Sequence, residues 1–188
     1  MNVIAGIDAA RRRWNVLEHP FYLRWESGEL TRGELARYAG EYRHAVVALA
    51  EAARTAGLHD DEEATHVDLW EDFALALGSE EREPLDETRR CAEAWTAADD
   101  ELGAAAVLYA IESGQPEISQ TKLRGLVDHY GFEEGSTATA YFEVHAERDL
   151  DHASEARAVL DGAEDGRLVS LAESALEGNW ALLDGVSA

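Results

Sequence analysis

Proline occurs three times in this 188-residue chain, at Pro20, Pro84 and Pro116, and this scarcity constrains the fold most. Proline interrupts helices, so the stretches between these three positions are free to run as long helices. Val, Ile and Thr are sparse and never alternate with polar residues at period two, whereas Ala, Leu, Glu and Arg dominate. The reading is all-α. The length is that of one domain, 1–188, and an apolar fraction of 46% is enough for a real core.

Helix signals divide the chain into seven or eight segments. A first helix is expected from Asp8 to Glu26, with Trp14, Leu17, Phe21 and Trp25 as its apolar stripe and a kink or break near His19 ahead of Pro20. Thr31 and Glu34 make a capping box for a helix that runs to Ala56 and stops at Gly57. HDDEEA (59–64) is an acidic turn or helix start, and Thr65 to Leu77 is a short helix ending at Gly78. Further helices are expected over Asp86–Ala98 and Glu101–Ser113, with the two open to being continuous. Pro116 suits the first turn of a helix ending at Tyr130-Gly131. Thr137–Leu160 and Arg167–Leu183 complete a compact bundle with short loops.

The charges exclude some functions. Thirty-nine acidic residues against sixteen basic ones leave a formal net charge of −23, which repels phosphate backbones and anionic lipid surfaces. Neither nucleic acid nor membrane is an expected partner, and a homodimer is compatible with the sequence. Fifteen of the basic residues are Arg, and Lys122 is the single Lys. Abundant carboxylate with almost no Lys reads as adaptation to a high-salt cytoplasm, or as the codon usage of a GC-rich genome. One cysteine, Cys91, excludes an internal disulfide and a Cys-based zinc site. No apolar run approaches membrane-spanning length, and the N-terminal stretch does not read as a signal peptide, so a cytoplasmic location is expected.

The chemistry concentrates in three segments. His145, Asp149 and His152 stand at i, i+4 and i+7, on one helix face. Two imidazoles and a carboxylate facing one way suit iron, manganese or zinc, and a solvated polar face is the plain alternative. The core stripe of this helix is read as Tyr141, Val144, Arg148, Leu150 and Val159. Glu112 ends the apolar run GAAAVLYAIES, where a buried carboxylate requires a partner or a metal. His66, just inside HVDLWEDF, is a third candidate.

Four stretches carry a wider likeness: HPFYLRWESGELTRGELARYAGEYRHAV, HVDLWEDFALALG, LYAIESGQPEISQTKLRGLVDHYGF and YFEVHAERDLDHA. Together they resemble the haem-oxygenase-like diiron oxidases (the TenA/PqqC-like fold), in particular the CADD-type proteins that make 4-aminobenzoate for folate. The signature is a buried Glu, some thirty residues, then His-x3-Asp-x2-His. The resemblance implies a seven-helix, haem-oxygenase-like bundle. It also implies metal ligands at His66, Glu112, His145, Asp149 and His152, and two transition metal ions, Fe/Fe or Mn/Fe. Dioxygen and a reductant are the small-molecule partners. In this branch the substrate is a tyrosine of the protein itself, which the motif places at Tyr22, with Tyr38 and Lys122 assisting. Lys122 stands at its motif position in a chain that has dropped every other Lys, and a guanidinium cannot readily replace a primary amine.

One departure stands out. The family carries a helix before the HVDLW segment with a Glu-x6-His pattern, and here that helix is shortened or missing. His59 occupies the Glu position, and Glu62 or Glu63 is the nearest substitute. Two rivals keep the fold: a diiron oxidase of a free metabolite, which would need neither Tyr22 nor Lys122, and a non-enzymatic binding protein. A thiaminase-like reading would require Cys91 as nucleophile, and it lies away from that position.

Overall fold

The computed structural model describes residues 2–80 and 82–188, without the side chains of Asp60, Asp61, Glu62 and Ala64. Among the described residues there are nine α-helices and one 3-10 turn, with no strand. They are α1 (Val3–Arg13), the turn Val16–Glu18, α2 (Pro20–Glu26), α3 (Arg32–Ala56), α4 (Asp60–Leu77), α5 (Asp86–Trp95), α6 (Glu101–Glu112), α7 (Gln115–His129), α8 (Ala140–Val159) and α9 (Gly166–Ser187).

The expected first helix is in fact three pieces. Asn2 caps α1 by accepting from Ala5 N, five residues earlier than Asp8. Asn15 caps the 3-10 turn, and His19 Nδ1 accepts from Phe21 N to start α2 on Pro20. Proline at the first helical position opens a new helix rather than kinking an old one. The Thr31–Glu34 capping box forms as expected, and Gly57 ends α3 in the left-handed conformation. HDDEEA is the first turn of α4, which α3 precedes directly across Gly57-Leu58-His59. α5 and α6 are separate because the Asp100 side chain accepts from Gly103 N and starts α6 anew. That break gives the larger of the two expected counts, eight, and the division of the first segment into α1 and α2 adds one more.

The central helix is α6, whose residues Gly103 to Glu112 are all buried. It packs against α3, α8 and α9, with α1 and α7 at its ends. Its apolar character on every side follows from that position. On α8 the expected core stripe is out of phase. Arg148 and Leu150 are exposed, and Leu150 is 65% accessible. The buried face carries Tyr141, Phe142, His145, Asp149, His152, Ala153 and Ala156. The polar residues point inward because what they face is polar too.

α2 and α7 touch closely at Gly125, where a Cβ would stand 2.6 Å from Trp25 Cδ1. Trp25 Nε1 donates to the Lys122 carbonyl at 3.0 Å, fixing the register of the two helices. No helix among the described residues is long and apolar enough to cross a membrane.

Candidate metal centre

α4, α6 and α8 bring seven metal-competent side chains into one buried volume. α8 contributes His145, Asp149 and His152, and α6 ends on Glu112. α4 contributes Glu63 and His66, and His59 stands immediately before it. One ligand atom from each of His59, Glu63, Glu112 and His152 lies within 4.8 Å of the others. Glu63 Oε1 is 3.0 Å from His66 Nδ1 and 3.5 Å from His152 Nδ1. Asp149 Oδ1 is 2.9 Å from His145 Nδ1 and 3.7 Å from His152 Nδ1. His59 Nε2 is 2.9 Å from Glu112 Oε1, and the His59 and His152 rings stack with centroids 3.9 Å apart.

The five sequence-derived ligand positions therefore converge. Of the residues left open for the missing carboxylate, Glu63 and His59 are both present, and Glu62 has its side chain outside the described residues. His59 was open only as a replacement, yet its φ of 34° puts a non-glycine residue in the left-handed region. That conformation costs about 1 kcal/mol or more and persists where the surroundings demand it. Here it turns the imidazole inward onto Glu112. The register that makes Glu63 useful was visible: it lies three residues before His66, on the same face of α4.

Within this cluster, and among the described residues, five buried atoms have no hydrogen-bond partner: His59 Nδ1, Glu63 Oε1, His66 Nδ1, Glu112 Oε2 and His145 Nε2. Glu63 and His66 approach within hydrogen-bond distance without hydrogen-bond geometry. Orphaned buried polar atoms are costly unless something pairs with them, and atoms of Glu63, Glu112 and His145 beside one another suit a cation. Protonation follows the same crowding. Burial, with the charges of Glu63, Asp149 and Glu155, raises the Glu112 carboxyl well above its usual range. Burial and Glu63 raise Asp149 to about 8. Burial drives His145 down to about 3, which leaves its imidazole neutral. Burial opposes ionisation of Glu63, but His66, His145 and His152 outweigh it and hold its carboxyl below the usual range. Buried acids in mutual repulsion beside the neutral His145 imidazole fit a divalent cation, whose charge favours the ionised forms of Glu112 and Asp149 and the neutral form of His145.

Beside this cluster lies an aromatic one. Tyr22 Oη and Tyr38 Oη are 2.9 Å apart, and Lys122 Nζ donates to Tyr38 Oη at 2.8 Å. The ammonium sits 4.8 Å from the centroids of the Tyr22 and Tyr42 rings. No acid among the described residues forms an ion pair with it, and burial lowers its pKa to about 7. Burial raises the Tyr22 and Tyr38 phenols well above 10. Sequence reasoning missed the aromatic side chains that join the two clusters. Trp70 lies 5.9 Å from Tyr38 and 4.7 Å from Tyr141, and Tyr141 lies 4.1 Å from His145. The i, i+4 spacing of Tyr141 and His145 was the available signal. Cys91 is buried and its thiol is pushed up by desolvation, which suits packing and not nucleophilic attack.

The family model for iron-containing redox enzymes matches residues 34–185. The chain belongs to that haem-oxygenase-like family. Within it, the chain is 33% identical to a 4-aminobenzoate synthase of Chlamydia muridarum, over 86% of this chain and 78% of the relative. It is 26% identical to a 4-aminobenzoate synthase of Nitrosomonas europaea, over 96% of this chain and 89% of that one. A TenA homologue from Pseudomonas syringae superposes with a TM-score of 0.80 at 18% identity, covering 98% of this chain and 90% of its own. That likeness concerns the fold alone. The α4–α6–α8 cluster contains a His/Glu group able to hold a metal ion.

Proposed function

We propose that this chain is a metal-dependent, oxygen-using enzyme that forms 4-aminobenzoate from its own Tyr22. The observation that carries this reading is the Lys122–Tyr38–Tyr22 chain of hydrogen bonds, enclosed beside the buried ligand cluster. His59, Glu63, His66, Glu112, His145, Asp149 and His152 would hold two ions, Fe/Fe or Mn/Fe. With dioxygen and a reductant, such a centre supplies oxidising power toward an aromatic ring.

The chain's own residues do the rest. Tyr22 is 3% exposed and packed against Phe21, Trp25 and Tyr38, so its ring is aimed and dry. Tyr38 holds the Tyr22 phenol and the Lys122 amine on one oxygen and is placed to pass a proton between them. At neutral pH a large share of Lys122 is the free amine, a nucleophile or nitrogen source at the face of the Tyr22 ring. Burial by aromatic neighbours produces that state without an auxiliary base.

The reading is tested by supplying reduced iron or manganese with oxygen and no organic substrate, then measuring aromatic amine and intact protein mass. Product at no more than about one per chain, with loss of most of one tyrosine side chain, is the expected result. Tyr22→Phe and Lys122→Arg should each abolish product while retaining metal. Undiminished product from Tyr22→Phe, or many turnovers per chain, would replace this reading by oxidation of a free metabolite.

A further inference from the structure

A cavity of about 220 Å³ opens on the far side of the α6 turn that carries Glu112, between α1, the 3-10 turn, the start of α7 and α9. Its walls are apolar, with Val16, Leu17, Ile111, Ile118 and Leu176 among them. Its polar groups are unspent. The side chain of Asn179 lines it, the residue is 5% exposed, and Oδ1 has no hydrogen-bond partner. Trp14 also belongs to the lining, and its buried Nε1 has no acceptor. α7 begins here on Gly114 with no side chain capping it, so the positive end of a fifteen-residue helix faces the cavity.

The charge is unusual for this protein. Arg11 and Arg12 line the mouth, and neither pairs with a carboxylate among the described residues, although acids outnumber bases 39 to 16. Glu117 is the acidic member of the lining, so two cations stand against one anion. Arginines at the end of α1 also complement its dipole, but that role leaves Trp14 and Asn179 unexplained.

We infer that this cavity binds a small single-ring aromatic carboxylate. Two arginines, an indole N–H and an uncapped helix start are donors suited to a carboxylate. The aliphatic walls suit a ring, and the Asn179 amide can accept from an amine or hydroxyl substituent on it. The volume is below that of sites for nucleotide- or flavin-sized ligands. The product proposed above is one member of this class, and only that identification rests on the reading of the reaction.

The test is titration calorimetry of the isolated full-length chain with benzoate, 4-aminobenzoate and inorganic phosphate. Saturable binding of benzoate and 4-aminobenzoate is expected, without competition by phosphate. Arg12→Gln, at an exposed position where folding is not at stake, should weaken both by about tenfold, as loss of a charge-assisted hydrogen bond does. Asn179→Leu, verified as folded by circular dichroism, should remove the preference for 4-aminobenzoate over benzoate. Absence of saturation, competition by phosphate, or affinity untouched in both variants overturns the proposal. The Tyr22→Phe variant separates the two claims. It should still bind benzoate, and binding without any product from the native chain would count against the reaction alone.

Discussion

Around Glu63, five buried donor and acceptor atoms lack hydrogen-bond partners, whereas around Lys122 the amine and the phenols of Tyr22 and Tyr38 bond one another. Both regions are dry, and both shift the pKa values of their members. In the first, acids and imidazoles crowd together, which is tolerable only if something else enters. In the second, a lone amine rests among aromatic faces and is already hydrogen-bonded to a phenol. The difference separates a site built to receive an ion from one whose reactant is already part of the chain.

The strongest way to break this comparison is to damage the receiving site alone. His145→Ala or His152→Ala should cut bound metal by at least half and abolish product. In the native protein a chelator should lower stability by about 2.7 kcal/mol if metal had been held at a hundred times its Kd, and in the variants it should do little. Metal analysis with thermal melts decides this. Because the Asp149 carboxyl must ionise to coordinate and burial with Glu63 pushes it up to about 8, native metal affinity should also fall as pH drops below about 8.

Lys122→Met sharpens the contrast from the other side. The Lys122 pKa falls from 10.5 in the unfolded chain to about 7 in the folded one. Between those values the unfolded state binds more protons, so this group's contribution to stability rises with pH. The variant should therefore be more stable than the native chain by about 1–3 kcal/mol near pH 6. That advantage should shrink as pH climbs toward 10, while metal content stays unchanged. Urea melts across pH read it directly. A constant difference would mean that Lys122 is not held against its charge.

Gly125→Ala should have a smaller effect, confined to the second region. Its Cβ would meet the Trp25 indole and backbone, so α2 must shift away from α7. A loss of about 1–3 kcal/mol is expected. Product should fall while metal binding persists, because Tyr22 moves and the α4–α6–α8 cluster does not.

Local patterns in the chain were sufficient for the helical class, the capping box at Thr31, the stop at Gly57 and the shared face of His145, Asp149 and His152. These depend on residues within two turns of one another, where backbone geometry decides who meets whom. The same locality explains the errors. The Asp8–Glu26 segment does break at His19, and it breaks again at Asn15, because side-chain caps at both positions outcompeted a continuous stripe. The α8 stripe was read out of phase because hydrophobicity alone cannot tell a buried polar face from a solvated one. Three further features were decided only by tertiary packing. His59 enters the cluster because a left-handed residue at the α3–α4 turn faces the end of α6. Tyr22 meets Lys122 because Gly125 lets α2 and α7 approach. Arg11, Trp14 and Asn179 share a cavity because α1 and α9 close on the α6–α7 junction. Each joins residues dozens of positions apart, and no periodicity within the chain encodes such a distance.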